Sequence, residues 1–424
     1  MATVGAGRDA GQNLCGCCDD AVGGLPTGSD LDLLREGLYG CFGGAFAREL
    51  VVLSPGSIVL AGNHTDHQGG HAVACAVGSY ARGIFRANGE GRIRVGGRGL
   101  PAIQLDSADL DARDGGLDDL SAMVRGMVAL FLQRGLAPGD ALGFDAYLAL
   151  DEPVGSGLLG ESALELAFAQ GLNNLWAGGT LSGEELALAA LRVARERLGG
   201  SSAPMWQLPV ALGGIQHLSF ADSGGAVAER IDFDFAQEGY NVCLVEVGDG
   251  RVTEPASCSS ILQEMQAVAG ALGAERLGDV REVDFMLDLP VIRDQFGDRA
   301  ALRAIHFWRE DRMVEHRVRA LKAKDMHAFL ELTRASGAST AMYLQGTPRV
   351  ARSQAIMLGL AVADENLRHE GAACIHGGSP ERAILAFVPD SVYELFSQGM
   401  NAIYGEGACR AYEVVDEGAS AWWL

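Results

Sequence analysis

Between residues 48 and 97 the apolar side chains come in short runs, 50–53, 58–60, 72–77, 83–86 and 93–95, each closed by turn residues. Runs this short cannot complete the apolar face of a helix, so the stretch predicts strands of a mixed sheet. Helical spacing then takes over. Residues 121–134 set Met123, Met127, Leu130 and Phe131 on one side and stop at Gly135. Residues 144–150 alternate as a strand does, and Ser182 with Glu185 forms a capping box that opens a helix to Leu198. The second half repeats the mixture, with strands at 241–247 and 383–388 and helices at 259–272, 299–322, 326–336 and 349–369. Strands and helices in both halves predict an α+β chain.

At 424 residues the chain is too long for one small core. The expected division is a poorly ordered leader at 1–29, one domain at 30–205 and a second at 206–424. A net charge of −22 repels phosphate backbones and acidic lipid surfaces, which argues against nucleic-acid and membrane partners. There is no apolar run of membrane-spanning length and no signal-peptide pattern, so a cytoplasmic location is expected. Nine thinly spread cysteines fit a reducing compartment better than a disulfide framework. Cys15, Cys17 and Cys18 cluster, either as soft-metal ligands or incidentally. The two lysines, Lys322 and Lys324, follow no glycine-rich loop, which excludes a Walker-A phosphate loop.

Glycine is abundant, and three glycine-rich stretches stand out. In 54-SPGSIVLAGNHTDHQGGHAV-73 a strand ends at Gly62 and is followed by Asn63, His64, Thr65, Asp66 and His67. Short polar groups on a glycine-hinged loop suit the hydroxyls of a sugar, although a plain polar turn has the same composition. The spacing of His64, His67 and His71 also permits a metal site, against which Gly69 and Gly70 break the helix that would align the rings. In 152-EPVGSGLLGESALELAFA-169 a glycine-rich turn feeds a helix, which is either an anion site or a simple helix entrance. In 373-ACIHGGSPERAILAFVP-389 a glycine turn runs into an apolar strand.

In this order and spacing the three stretches resemble the motifs of the galactokinase family of GHMP small-molecule kinases. The first resembles Pro-Gly-Arg-x-x-Leu-x-Gly-Glu-His-Thr-Asp, the second the phosphate loop Gly-Leu-Ser-Ser-Ser-Ala-x-Leu-Glu, and the third the late Gly-Gly-Gly-Phe-Gly-Gly turn. The resemblance runs from about residue 30 to the C-terminus. It implies a GHMP-type mixed-sheet N-terminal domain carrying the sugar and phosphate loops, and a ferredoxin-like C-terminal domain. It also implies transfer of the ATP γ-phosphoryl group to the anomeric hydroxyl of galactose or a related hexose. On this resemblance Asn63, His64 and Asp66 face the sugar, and Gly155, Ser156, Gly157, Leu158, Gly377 and Gly378 the nucleotide, with Glu165 further along the phosphate-loop helix.

Several positions depart from the pattern. The family's Gly-Ile-Met-Asp-Gln matches 203-APMWQ-207, so Trp206 stands where a carboxylate faces the reacting hydroxyl. General-base help of that kind is worth roughly 10²- to 10⁴-fold, and no Asp or Glu lies between Glu196 and Asp222 to replace it. Ser57 stands at the first motif's Arg, where a guanidinium aimed at a transferring phosphoryl group can be worth about 10³- to 10⁵-fold. The phosphate-loop serines are Leu159, Gly160 and Glu161. The family's Mg²⁺ carboxylate falls near Ala194, leaving Glu161 and Glu196 as substitute ligands. Two functions follow: a galactokinase, if a slow one, using ATP and Mg²⁺, or an inactive relative that binds a sugar as a sensor or regulatory module. A scaffold whose pocket Trp206 fills is the third reading.

Overall fold

The computed structural model describes residues 28–44, 47–106, 119–138, 143–152, 160–198, 203–221, 225–248, 256–346, 354–377 and 383–424. Helix α1 (Gly28–Phe42) precedes a mixed sheet built on two long strands, β1 (Glu49–Ala61) and β2 (His71–Ala87). β1 is continuous where two strands were expected. The Ser54-Pro55-Gly56 turn signal is absorbed by a register shift between Pro55 and Gly56, so proline sits at a bulge instead of ending the strand. β3 (Arg92–Gly97), β4 (Leu100–Asp106) and β5 (Phe144–Leu150) extend the sheet beyond β2, with β3 and β5 parallel. β6 (Ile215–Ser219) pairs with the start of β2, and β7 (Val227–Ile231) with β6.

Helices α2 (Leu120–Gln133), α3 (Gly160–Trp176) and α4 (Gly183–Arg197) cover one face of this sheet around Phe85, Phe144 and Phe168. α5 (Pro204–Leu212) packs Met205 and Leu208 against Val59, Ala72 and Ala74 of β1 and β2. The Ser182–Glu185 capping box is formed as read.

The second sheet has the order β11-β8-β10-β9, all antiparallel: β8 (Tyr240–Glu246), β9 (Ala372–Ile375), β10 (Ala383–Pro389) and β11 (Cys409–Tyr412). On one face lie α9 (Ala355–Leu367) and α10 (Tyr393–Tyr404). On the other lie α7 (Glu282–Lys322) and α8 (Met326–Ser339), and α6 (Ala256–Ala271) packs on α7. α7 is two helices meeting at Gly297, whose φ of 84° breaks the ladder. Ile58, Leu60, Val73 and Cys75 of the first sheet share one core with Val314, Phe329, Leu385 and Phe387. That shared core brings the loop between β1 and β2 against α7.

A division at 205/206 cuts through the first assembly. α5, β6 and β7 belong to it, and β12 (Ser420–Trp423) returns from the end of the chain to pair Leu50 with Trp423. The chain leaves the first sheet after Ile231, and no local composition shift marks a strand contributed from so far away. Trp422 and Trp423 are thereby edge-strand residues. The expected leader lies outside the described residues up to 27, Cys15, Cys17 and Cys18 included, and α1 begins at Gly28. No helix among the described residues is long and apolar enough to cross a membrane.

Candidate functional site

The loop from Gly62 to Gly70 connects β1 to β2 at the junction of the two sheets. Gly62 has φ 95°, and a Cβ there would lie 2.5 Å from the His71 carbonyl, so the position admits only glycine. Buried Thr65 ties the loop shut: its hydroxyl oxygen is 3.0 Å from the Gly62 carbonyl and 2.6 Å from that of His71. His64 adopts φ 61°, a left-handed conformation costing a side-chain-bearing residue about 1–2 kcal/mol, which the surrounding contacts must hold in place.

Those contacts come from α7. His306 Nε2 lies 3.1 Å from the Asn63 carbonyl, and its Nδ1 2.9 Å from Ser339 Oγ. Glu310 accepts from the Gly62 N–H at 3.3 Å and from Ser336 Oγ at 2.8 Å, and faces Arg317 at 3.5 Å. Arg317 donates to the Leu60 carbonyl at 3.0 Å. Asp311 accepts from the His71 N–H at 2.7 Å and pairs with His71 Nδ1 at 3.0 Å. His306, Glu310 and Arg317 are fully buried. In the sequence His306 reads as an ordinary surface or core residue. The one available signal was the spacing of His306, Glu310 and Arg317, which sets them on a single helical stripe, the same pattern a solvated face shows.

Within the loop, His64 Nδ1 is 3.1 Å from His67 Nε2. Loss of water pushes the His64 imidazole down to about 3 and that of His67 to about 4, so both rings are neutral at pH 7. Burial raises the Asp66 carboxyl above its ordinary range, opposed by the neighbouring His64. His64 and His67 bond to each other and His71 turns to Asp311. The three rings therefore do not converge on a metal.

Ser57 and Trp206 meet. Ser57 Oγ, buried on β1, donates to the Trp206 carbonyl at 2.9 Å, so the two positions where family side chains were expected to act lie in direct contact. The Trp206 ring packs edge-to-face on His376, with centroids 5.6 Å apart at 83°. His376 is buried, its pKa pushed down to about 4, and its Nε2 has no hydrogen-bond partner among the described residues. The next residue, Gly377, approaches so closely that a Cβ would stand 2.8 Å from Asn63 Oδ1. β1, α5, the turn after β9 and the β1–β2 loop thus converge on one spot. On its other side Gln207 donates to Glu165 Oε2 at 3.0 Å, and burial raises the Glu165 carboxyl to about 8.

Glu161 sits in the first turn of α3. Glu196 is half exposed on α4 and bonded to Arg192 at 2.9 Å, whereas Ala194 is buried. Among the described residues no group of three or more His, Cys, Asp or Glu side chains could hold a metal ion. Gly155, Ser156, Gly157, Leu158, Asp222 and Gly378 lie outside the described residues.

The profile of the galactokinase galactose-binding signature matches residues 40–86, and that of the GHMP kinases N terminal domain residues 115–214. Galactokinase of Streptomyces coelicolor is 27% identical over 282 residues, covering 66% of this chain and 71% of the relative. Galactokinase of Glaesserella parasuis is 28% identical over 286 residues, with the same coverages of 66% and 71%. The crystal structure of Lactococcus lactis galactokinase complexed with galactose superposes with a TM-score of 0.79 at 19% identity, over 92% of this chain and 99% of that one. The chain carries the galactokinase galactose-binding signature and a GHMP kinase N-terminal domain, and its sequence is similar to those of galactokinases. Its fold is the two-domain GHMP-kinase fold, and a mevalonate kinase structure shares it with a TM-score of 0.62 at 13% identity, over 87% of this chain and 99% of that one.

Against its galactokinase relatives this chain divides in two. The β1–β2 loop, inside the matched galactose-binding signature, keeps its polar groups and is braced on every side. Where the family pattern has an arginine and an aspartate, this chain has a hydroxyl and an indole, and the hydroxyl is taken up by the backbone carbonyl of the tryptophan.

Proposed function

We propose that this chain binds galactose or a closely related hexose on the loop of Asn63, His64 and Asp66 without phosphorylating it at a galactokinase's rate. One observation carries the reading: Ser57, at the family pattern's arginine position, spends its hydroxyl on the backbone carbonyl of Trp206, at the aspartate position. An indole accepts no proton, and a serine bonded to a carbonyl carries no charge to a transferring phosphoryl group.

The family's Mg²⁺ fits poorly on the described residues. Glu196 is engaged by Arg192, and Ala194 offers no ligand. By contrast, the sugar loop fits a ligand rich in hydroxyls. Its backbone is fixed by buried groups from α7, and Asn63 Nδ2 is buried with no partner among the described residues.

A second reading, slow ATP-dependent phosphorylation of the anomeric hydroxyl, rests on His376. A neutral imidazole with an unpartnered buried nitrogen beside Trp206 can accept a hydroxyl proton, and with its pKa near 4 it is about as basic as a carboxylate. Calorimetry with galactose on the wild type and on Asp66→Ala tests the main reading. Binding by the wild type that weakens at least tenfold in the variant supports it, and equal heats from both proteins, or none from a folded wild type, overturn it.

A further inference from the structure

Three side chains of the sugar loop form a hydrogen-bonded line whose direction is set at one end by a backbone N–H from outside the loop. The Leu277 N–H, which can only donate, meets Gln68 Oε1 at 2.9 Å. That fixes the amide's orientation, because the opposite one would set two donors against each other. Gln68 Nε2 therefore faces His67 Nδ1, 3.0 Å away, and Nδ1 must accept. A neutral His67 then carries its hydrogen on Nε2 and donates to His64 Nδ1 at 3.1 Å. His64, with Nδ1 accepting, carries its own hydrogen on Nε2.

We infer that His67 and Gln68 are positioning residues that hold His64 as the Nε2–H tautomer, so that it presents a donor to a lone pair of a ligand hydroxyl. Both rings being neutral at pH 7 agrees with this. The far end of the line is rigid. Gln68 is fully buried, a Cβ on Gly278 would lie 2.6 Å from its carbonyl, and Arg276 anchors the adjoining turn to Asp279 and to the Phe220 and Ala221 carbonyls. Asn63 Nδ2 adds a second donor on the same loop, so the loop favours a ligand oxygen that accepts. This inference rests on the sugar-binding reading for its ligand but not for its tautomer.

The test is long-range ¹H–¹⁵N NMR on protein labelled at histidine, at pH 7 and without ligand, with the His64 signals assigned by their loss in His64→Gln. The expected spectrum has a pyridine-type Nδ1 and a pyrrole-type Nε2 for both His64 and His67. The reverse pattern at His64 in the wild type overturns the inference, whatever any variant does. His67→Phe keeps the ring's bulk and removes both nitrogens. It should turn the His64 signals into a tautomer average and weaken galactose binding about fivefold, the worth of one neutral hydrogen bond. His67→Gln, with an amide nitrogen at the Nε2 position, should restore both readouts. A His64 tautomer unchanged in a folded His67→Phe also overturns the inference. Galactose calorimetry on the same samples separates the two readings: correct tautomers with no galactose heat refute the sugar and leave the relay standing.

Discussion

Arg317→Met removes the cation that lies against Glu310 beneath the β1–β2 loop. Both side chains are fully buried, the closest approach of their charged groups is 3.5 Å, and Arg317 also donates to the Leu60 and Leu332 carbonyls. In the variant the Glu310 carboxylate keeps Ser336 and the Gly62 N–H. Leaving a buried charge without its partner costs about 3–5 kcal/mol, and the loss of a donor to the Leu60 carbonyl adds about 1 kcal/mol. The double variant Glu310→Gln/Arg317→Met removes both charges while the amide oxygen still accepts from Gly62. It should recover about 2–3 kcal/mol of that loss, a coupling typical of residues in one network. Urea unfolding followed by tryptophan fluorescence on the wild type, both single variants and the double variant measures the cycle. A single-variant cost below about 1 kcal/mol, or a double-variant cost equal to the sum of the singles, refutes the claim that a buried ion pair holds this loop.

Other outcomes are expected. Trp206→Asp with Ser57→Arg should raise sugar-phosphate formation above the wild type in a coupled ATP assay, and a folded double variant that remains silent would refute the mapping of those two positions. His64, His67 and His376, at about 3, 4 and 4, lie below their unfolded value near 6.5, so the stability they contribute is present above pH 6.5 and lost as pH falls towards 4. Urea midpoints at pH 7 and pH 5 check this, and a higher midpoint at pH 5 would contradict it. Glu165, raised to about 8 from 4.5, acts the other way: its contribution is complete below pH 4.5 and lost as pH rises through 8. Glu165→Gln should therefore flatten the alkaline fall in stability, and an unaltered profile would count against a buried carboxyl there.

What could be read in the chain was whatever lies close together in it. The α+β class came from apolar periods that switch within tens of residues, and the β1–β2 loop from one contiguous run of Asn63 to His67. The frame behind that loop was hidden because its partners stand far apart: Gly62 and Glu310 are 248 residues apart, Leu60 and Arg317 257. A buried charged stripe on α7 has the spacing of a solvated one, and only the tertiary contact distinguishes them. β12 was hidden for the same reason, since its register with β1 spans almost the whole chain. Ser57 and Trp206 were each singled out as departures, yet their contact, and the approach of His376 to Trp206, became visible only once β1, α5 and the turn after β9 were brought together.

The central claim is that the sugar loop has outlived the chemistry beside it. Phosphorus NMR on concentrated wild-type protein incubated overnight with MgATP and galactose, beside a sample without sugar, tests this most directly. No sugar-1-phosphate is expected above the control from protein that calorimetry shows to bind galactose. A sugar-1-phosphate signal growing at a galactokinase's pace would contradict it and would move the proton acceptor to His376 or another group.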